Sequence, residues 1–260
     1  MAGLLIVNAD DLGAEVETTD AIVRCLEARA VTSATAMVFM PDSERAAEIA
    51  CRRELPVGLH LNLTLPFGGP APAAVRDRQA RAAALFGGRG PGKHKTYHPL
   101  AHFLVRRCIA DQLEEFGRLY GAATHIDGHN HIHLSPNVLI ARALPKGVKV
   151  RRSADSPGDG SASARVARSL RQWTISRRFR STDYFFALDR VHPSLGGDGL
   201  ERVLGLVATA SVELMCHPGR SAEYELLMSE DWRQLLRRRP IGSFAALEPG
   251  SVLRSDPRAA

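Results

Sequence analysis

Four histidines crowd into the nine residues from His125 to His133, a stretch that reads HIDGHNHIH. Ten histidines in a chain of 260 residues would place fewer than one in a window of this length. All four, together with Asp127, occupy odd positions, so an extended segment would project them to one face. Imidazoles at i and i+2 can share a first-row metal ion, and a nearby carboxylate can fix a ring tautomer. The pattern predicts a row of metal ligands; histidines bonded to backbone carbonyls in the core are the alternative.

The segment from Val57 to Leu65 alternates strictly between apolar residues and small or polar ones. In a barrel its apolar residues would face the surrounding helices, which directs His60 toward the centre. A lone buried histidine is more often a satisfied core residue than a ligand. Its coexistence with the histidine row favours the interpretation of His60 as a metal ligand.

Two adjacent carboxylates, Asp10 and Asp11, end the first apolar segment, and Gly13 follows them. On a continuing strand the two side chains would point to opposite faces, but a turn at Gly13 would let both approach one site. Crowded carboxylates raise one pKa unless a cation lies beside them. The pair therefore predicts one metal ligand and one proton carrier, with an Asx-turn or a helix cap as the alternative.

A fourth segment, from Ser211 to His217, is largely apolar and ends in His-Pro-Gly. Glu213 and His217 share one face of this predicted strand. His217 comes at its carboxyl end, where barrels place catalytic groups, and a histidine that stabilises the turn is the alternative. Cys216 lies on the other, apolar face, which indicates a buried thiol rather than a nucleophile.

These four signals fall at or near the carboxyl ends of four predicted strands, so a barrel would bring them to one mouth. Asp11, His60 and a member of the histidine row would hold a divalent metal and leave positions open for water and substrate, as in a hydrolytic site. Asp10 would take a proton from the attacking water, and His217 would give one to the leaving group.

The elements that must position these residues follow the alternation typical of βα units. The predicted strands are Leu4–Asp10, Ser33–Phe39, Val57–Leu63, His125–His131, Val148–Arg152, Asp183–Leu188, Ser211–His217 and Ser243–Leu247. The predicted helices are Thr19–Ala30, Ser43–Glu54, His98–Tyr120, Pro136–Ala143, Ala164–Arg177, Gly199–Ala208 and Glu230–Arg239. About eight units predict an α/β fold, a TIM-like (β/α) barrel, complete or irregular, as a single domain over residues 1–260; an open doubly wound sheet is the alternative. Residues 67–99, rich in Gly, Pro and Ala, predict an inserted loop region that acts as a lid or an interface.

Composition excludes several classes of protein. A hydrophobic content of 45% excludes a mainly disordered chain. The first apolar run, Leu4 to Val7, meets polar residues at once, which predicts neither a signal peptide nor a membrane span and hence a cytoplasmic protein. The net charge of +6 comes mostly from dispersed arginines, which predicts a solvated basic surface and no nucleic-acid partner. Four cysteines without a CxxC pair indicate reduced thiols.

The same segments resemble the YdjC-like carbohydrate deacetylase family. The resemblance runs through LLIVNADDLG, VTSATAMV, VGLHLNLT, THIDGHNHIHLSP and ELMCHPG, in that order, and covers most of the chain. It implies a TIM-like barrel and a metal-dependent hydrolase that removes acetyl from N-acetylated amino sugars. The resemblance further implies that the metal ligands are Asp11, His60 and His129, that Asp10 is the general base and that His217 is the general acid.

Five further residues are candidates for supporting or substrate-binding roles: Asp127, His131, His133, Arg151 and Glu213. Arg151 matches an arginine common in the family and would orient Asp10 or a sugar hydroxyl; an ordinary surface arginine is the alternative. Two positions depart from the family pattern, since Asn130 stands where a histidine is frequent and Leu12 where phenylalanine is usual. Neither is an implied ligand, so the expectation of activity is unchanged.

The implied cofactor is one divalent metal ion, for which the ligand chemistry favours Zn²⁺ and the resemblance allows Mg²⁺. Two other classes are alternatives: a different metal-dependent barrel hydrolase such as a phosphoesterase, and a non-catalytic module that binds glycan or stores metal. A non-catalytic module would not need the additional carboxylate of Asp10. The sequence leaves the identity of the acetylated sugar and the formation of a homo-oligomer open.

Overall fold

A computed structural model describes residues 3–88, 96–153 and 162–247 of the chain. Within these ranges six apolar segments form one parallel sheet in the order β4, β3, β2, β1, β6, β5. The strands are β1 Leu4–Leu12, β2 Ser33–Ala36, β3 Val57–Leu61, β4 Ile126–Gly128, β5 Tyr184–Ala187 and β6 Ser211–Cys216. All residues of β2, β3 and β6 are buried, as expected of parallel strands covered on both faces.

Helices supply the crossovers that parallel pairing requires. In the described residues they are α1 Val16–Glu27, α2 Ser43–Arg52, α3 Ala73–Phe86, α4 His102–Tyr120, α5 Pro136–Ala141, α6 Ala162–Arg178, α7 Leu188–Val191, α8 Leu200–Leu206, α9 Ser221–Met228 and α10 Glu230–Arg237. In α1 the buried Ile22, Val23 and Leu26 recur at helical spacing and form the face toward the core. The predicted alternation of strands and helices is therefore confirmed.

The strand order is that of a ring opened between β4 and β5. Strands β1 to β4 are consecutive neighbours, and β6 returns beside β1 with β5 outside it. A doubly wound sheet instead places later strands progressively farther from β1. The sheet is a curled half-barrel, and a full eight-stranded barrel is not confirmed.

The predicted strand Val148–Arg152 is wrong, because it forms only single bridges. Val150 bridges Ile126 at the edge of β4, and Lys149 bridges Arg180, four residues before β5 begins. The ladder stops there because the chain turns Arg151 inward, where its guanidinium binds buried carboxylates. These bridges nevertheless extend the sheet toward the gap between β4 and β5.

The predicted strand Ser243–Leu247 is also wrong, since residues Phe244–Ala246 form a 3₁₀ turn. The Ser243 side chain accepts a hydrogen bond from the amide of Ala245 and so caps the turn. Phe244 is buried, which explains why the segment has the apolar content of a strand without its pairing.

The region predicted as an insertion contains the fourteen-residue helix α3. Residues 89–95 of that region lie outside the described part of the chain. The arginine Arg78 on α3 binds Asp111 on α4 through two hydrogen bonds of 2.8 and 2.9 Å, so this helix is attached to the body of the protein. Among the described helices, none combines the length and the apolar content needed to cross a bilayer.

Candidate active site

The acidic pair lies at the carboxyl end of β1, where the strand loses its regular pairing. The register with β2 shifts between Ala9 and Leu12, and Asp11 has a φ of 75°. Left-handed φ values are uncommon for residues other than glycine and cluster at functional sites. Gly13 continues the turn with a φ of 83°. As a result Asp10 is buried, whereas 27% of the Asp11 side chain is exposed.

His60 on β3 is buried, and its two ring nitrogens face different carboxylates. Its Nδ1 lies 2.8 Å from Oδ1 of Asp127, the residue paired with it on the neighbouring strand β4. Its Nε2 lies 3.2 Å from Oδ1 of Asp11. Burial lowers the pKa of His60, but the carboxylates around it, led by Asp127, raise that pKa well above its usual value. The ring is therefore held with Nε2 directed at Asp11.

Arg151 is fully buried and joins three carboxylates. Its Nη1 and Nη2 each donate to Asp10 at 2.7 Å, which is the bidentate geometry of a strong ion pair. Nη2 also lies 2.6 Å from Oδ2 of Asp127, and Nε donates to Oε1 of Glu213 at 2.7 Å. The guanidinium stands 5.0 Å from the ring centroid of Phe185. Arg151 thus fixes the position of Asp10 and is not a surface residue.

The ion pairs set the charge of each carboxyl group. Burial would raise the pKa of Asp10, but the Arg151 guanidinium outweighs it and lowers that pKa. Burial raises the pKa of Asp127 and brings the pKa of Glu213 to about 7 despite the same arginine. Oε2 of Glu213 is buried and accepts no hydrogen bond. Of these three carboxyl groups, Asp10 is the one whose pKa is lowered.

Two buried polar residues that were not predicted complete this network. Asn8 donates to Oδ1 of Asp10 at 2.9 Å. The hydroxyl of Thr35 donates to Oδ2 of Asp127 at 3.0 Å and lies 3.3 Å from Nδ1 of His60. The alternation of β2, which reads SATA, offered a signal because Thr35 is a polar residue between two alanines on a buried strand.

The prediction that the histidine row shares one face of a strand is wrong. Strand β4 ends at Gly128, and a 3₁₀ segment follows in which Asn130 and His131 have φ values of 53° and 56°. These left-handed residues rotate the chain, so the histidines separate instead of alternating. His125 leaves the site altogether, because its ring stacks on Phe244 with centroids 3.6 Å apart.

The remaining histidines take three positions around the centre. The ring centroid of His129 lies 6.1 Å from that of His60. His131 packs edge-on against Phe185 at 5.7 Å, and Nε2 of His133 lies 3.2 Å from the backbone oxygen of Arg151. Burial lowers the pKa of each, to about 4 for His131. All three are thus neutral imidazoles at neutral pH.

His217 follows directly after β6 and is held by α9. Its backbone amide donates to Oε2 of Glu223 at 2.7 Å, and its Nδ1 lies 3.6 Å from Oε1 of the same residue. Burial lowers the pKa of His217, but Glu223 and then Asp10 and Asp11 raise it above its usual value. Since 20% of its side chain is exposed, a ligand can reach His217.

Two sets of atoms around His60 could hold a metal ion. Asp10, His60 and Asp127 each offer a ligand atom within 4.8 Å of the others. The oxygens of both aspartates, however, already accept hydrogen bonds from Arg151 or lie against its guanidinium, and a cation there would meet that positive charge.

The other set lies on the Nε2 side of His60. Oδ1 of Asp11 is buried, faces Nε2 at 3.2 Å and makes no hydrogen bond of acceptable geometry. Two ligand atoms on one first-row ion at about 2.1 Å stand about 3 Å apart. This orphaned oxygen and the ring beside it, with His129 nearby, fit a divalent cation, and Asp127 fixes the ring from behind as carboxylates do for metal-binding histidines.

Comparison with known proteins places the chain in a family. The model of the family described as YdjC-like protein matches residues 4–238. The chain belongs to this family. The carbohydrate deacetylase of Mus musculus is 34% identical to it over 244 residues, which cover 83% of this chain and 77% of that protein. The carbohydrate deacetylase of Geobacillus stearothermophilus is 32% identical, with 82% of this chain and 78% of that protein covered.

A solved structure supports the fold of this YdjC-like protein. A crystal structure from Enterococcus faecalis V583, of a protein described in terms of cellobiose-phosphate cleavage, matches with a TM-score of 0.69 and 21% identity. The match covers 96% of this chain and all of that one. The predicted family and the predicted enzyme class, a carbohydrate deacetylase, are confirmed by the family match and the relatives.

Proposed function

We propose that this chain is a metal-dependent deacetylase that hydrolyses the N-acetyl group of an N-acetylated amino sugar to an amine and acetate. The observation that carries the proposal is the setting of His60, with a supporting carboxylate on Nδ1 and an orphaned carboxylate oxygen facing Nε2. A histidine that only completes a core does not need a second, unbonded carboxylate beside it.

Asp11, His60 and His129 would hold one divalent ion, Zn²⁺ or Mg²⁺. When bound, such an ion polarises the amide carbonyl and lowers the pKa of water. The setting of Asp11 supports this assignment, because its pKa is lowered and its buried Oδ1 faces His60 without a hydrogen bond. A divalent cation would pair with that carboxylate.

Asp10 is proposed as the general base, which takes the proton of the attacking water at a carboxylate oxygen. Its lowered pKa keeps it ionised and available at neutral pH. Arg151 shares its charge among Asp10, Asp127 and Glu213. Arg151 also orients the carboxylate, which general base catalysis requires.

His217 is proposed as the general acid, which protonates the departing nitrogen. Glu223 supports this role, because it raises the pKa of the imidazole and holds its ring nitrogen at 3.6 Å. His131 and His133 would stay neutral, so they can orient the centre or a sugar hydroxyl without adding positive charge.

We also propose the wider context of this activity. The half-barrel would be an irregular TIM-like barrel, with residues 148–150 and 180 completing its wall, and residues 1–260 would form one domain. The predictions of a cytoplasmic location and of a lid or interface at residues 67–99 stand as predictions, as does the absence of a nucleic-acid partner.

Acetate release tests the proposal. Protein stripped of metal by a chelator would be assayed with N-acetylglucosamine, chitobiose and larger conjugates, and Zn²⁺, Mg²⁺ or Co²⁺ would be returned separately. We expect no activity in the stripped protein and restored acetate release with one of the ions, but none when Asp11→Asn receives the same ion. Release of phosphate from a sugar phosphate without acetate from any substrate would instead favour a phosphoesterase.

A further inference from the structure

Helix α6 carries an exposed apolar ridge. Val166, Leu170 and Trp173 are 58%, 60% and 55% exposed. Residues at i, i+4 and i+7 lie within about 60° of one another on a helix that turns about 100° per residue, so the three side chains form one continuous line. Ile175, on the opposite side of the helix, is fully buried. The ridge is therefore not the face that attaches α6 to the protein.

Basic residues predominate in the described segments that contain the ridge and adjoin it. The sequence of α6 contains five arginines and no acidic residue. The guanidinium of Arg177 lies over the Trp173 ring at 4.5 Å. The loop that exposes Lys146 meets the carboxyl end of α6, where the amide of Gly147 donates to the backbone oxygen of Arg178. In the described residues 134–153 and 162–182 there is no Asp or Glu.

The charge and shape of this face indicate which kind of partner it would bind. A two-fold contact with a second copy would set arginine against arginine, which disfavours a dimer through α6. A convex ridge also lacks the pocket that anchors a protein hot spot. A basic helix with Leu and Trp along one line is instead suited to the boundary between lipid headgroups and acyl chains, where indole prefers to lie and anionic lipid attracts arginine.

We propose that α6 docks this protein on the surface of a bilayer that contains anionic phospholipid. Val166, Leu170 and Trp173 would enter the headgroup region, and Arg177 with its basic neighbours would contact lipid phosphates. Such an attachment is peripheral and reversible, since one short ridge buries far less apolar surface than a membrane-spanning helix. This proposal is independent of the deacetylase chemistry, because no residue of the ridge contacts the candidate active site in the described contacts.

Tryptophan fluorescence gives a direct test with the full chain. The sequence has two tryptophans, and Trp232 is 1% exposed with its Nε1 donating to the backbone oxygen of Ala30. Vesicles of phosphatidylcholine with phosphatidylglycerol should shift the emission of Trp173 to shorter wavelength, and brominated lipid should quench it. Trp173→Phe should abolish both signals while the protein still co-sediments with the vesicles.

Paired variants distinguish vesicle binding through the ridge from nonspecific hydrophobic binding. Leu170→Ser with Trp173→Ser should weaken co-sedimentation by at least about tenfold. The matched control is Val16→Ser with Leu85→Ser, which removes apolar side chains that are 48% and 37% exposed on α1 and α3 and should change nothing. Arg177→Gln should lower binding to the anionic vesicles by about fivefold. Circular dichroism would verify that each variant keeps its helical content.

Several results would overturn the proposal. It fails if the unaltered protein does not bind anionic vesicles. It also fails if the control double variant loses as much binding as the ridge double variant, or if the ridge double variant binds as well as the unaltered protein. Binding to an RNA homopolymer or to polyglutamate that requires Leu170 and Trp173, without binding to vesicles, would identify the ridge as a surface for a polyanion other than a bilayer. Acetate release by the ridge variants in solution should be unchanged, whatever the outcome for the deacetylase itself.

Discussion

Replacing Asp10 by Asn separates the proposed base from the proposed metal ligands. The amide can accept one of the two hydrogen bonds that Arg151 donates at 2.7 Å, but its NH₂ group then meets the other guanidinium N–H. Breaking a buried ion pair costs about 3 to 5 kcal/mol. Arg151 keeps Asp127 and Glu213 as partners, so we expect a loss of about 3 kcal/mol in the free energy of unfolding.

Asp10→Asn should also slow catalysis. A positioned general base contributes about 100-fold to 10,000-fold to a rate, and Asn cannot accept a proton at neutral pH. The turnover number for acetate release should therefore fall at least about 100-fold, which corresponds to about 2.7 kcal/mol. The affinity for metal should change by less than about tenfold. Asp10 lies on the Nδ1 side of His60, away from Asp11, and Asp127 still supports the His60 ring.

Metal affinity would be measured by competition with a chromophoric chelator, and stability by urea unfolding, for Asp10→Asn and Asp11→Asn side by side. Asp11→Asn should lose more than the 10 to 100-fold that is typical of a supporting residue. Equal losses of metal affinity in the two variants would refute our reasoning, because they would move the ion to the side of His60 occupied by Asp10 and Asp127, despite the guanidinium there.

Three further outcomes are expected. Glu223→Gln should move the alkaline limit of the pH–rate profile to lower pH, since Glu223 raises the pKa of His217; an unmoved limit would remove His217 as the acid. His125→Phe should make urea stability less sensitive to acid: burial lowers the pKa of His125 in the fold below the usual 6.5, so the unfolded chain gains the proton first and stability falls as pH drops below about 6.5. His102→Gln is the exposed control. Glu213→Gln should lower turnover without altering KM, because Arg151 would then bind Asp10 more strongly.

The alternation of strands and helices could be predicted from the sequence, because buried parallel strands are short apolar runs that need no particular partner to be recognised. Val148–Arg152 and Ser243–Leu247 also contain apolar residues and are predicted as strands, yet neither forms a ladder. Their conformations depend on distant groups, namely the carboxylates that bind Arg151 and the ring of His125 that packs on Phe244. Local pattern carries no information on such contacts, so a closed barrel of eight strands was overpredicted.

The prediction of the candidate site rests in part on an extended histidine row, and the structure contradicts that geometry. The odd-numbered residues of the histidine row share one face only if the strand is straight. Strand β4 ends at Gly128, however, and Asn130 and His131, which have left-handed φ values, turn the chain. That turn has a chemical use: it brings His129 beside His60 and sets His133 against the backbone of Arg151. A continuous strand would have spread the same side chains along about 3.3 Å per residue, too far to surround one centre. The density of histidine therefore indicates the candidate site, whereas the geometry of that site depends on two left-handed residues that no sequence period reveals.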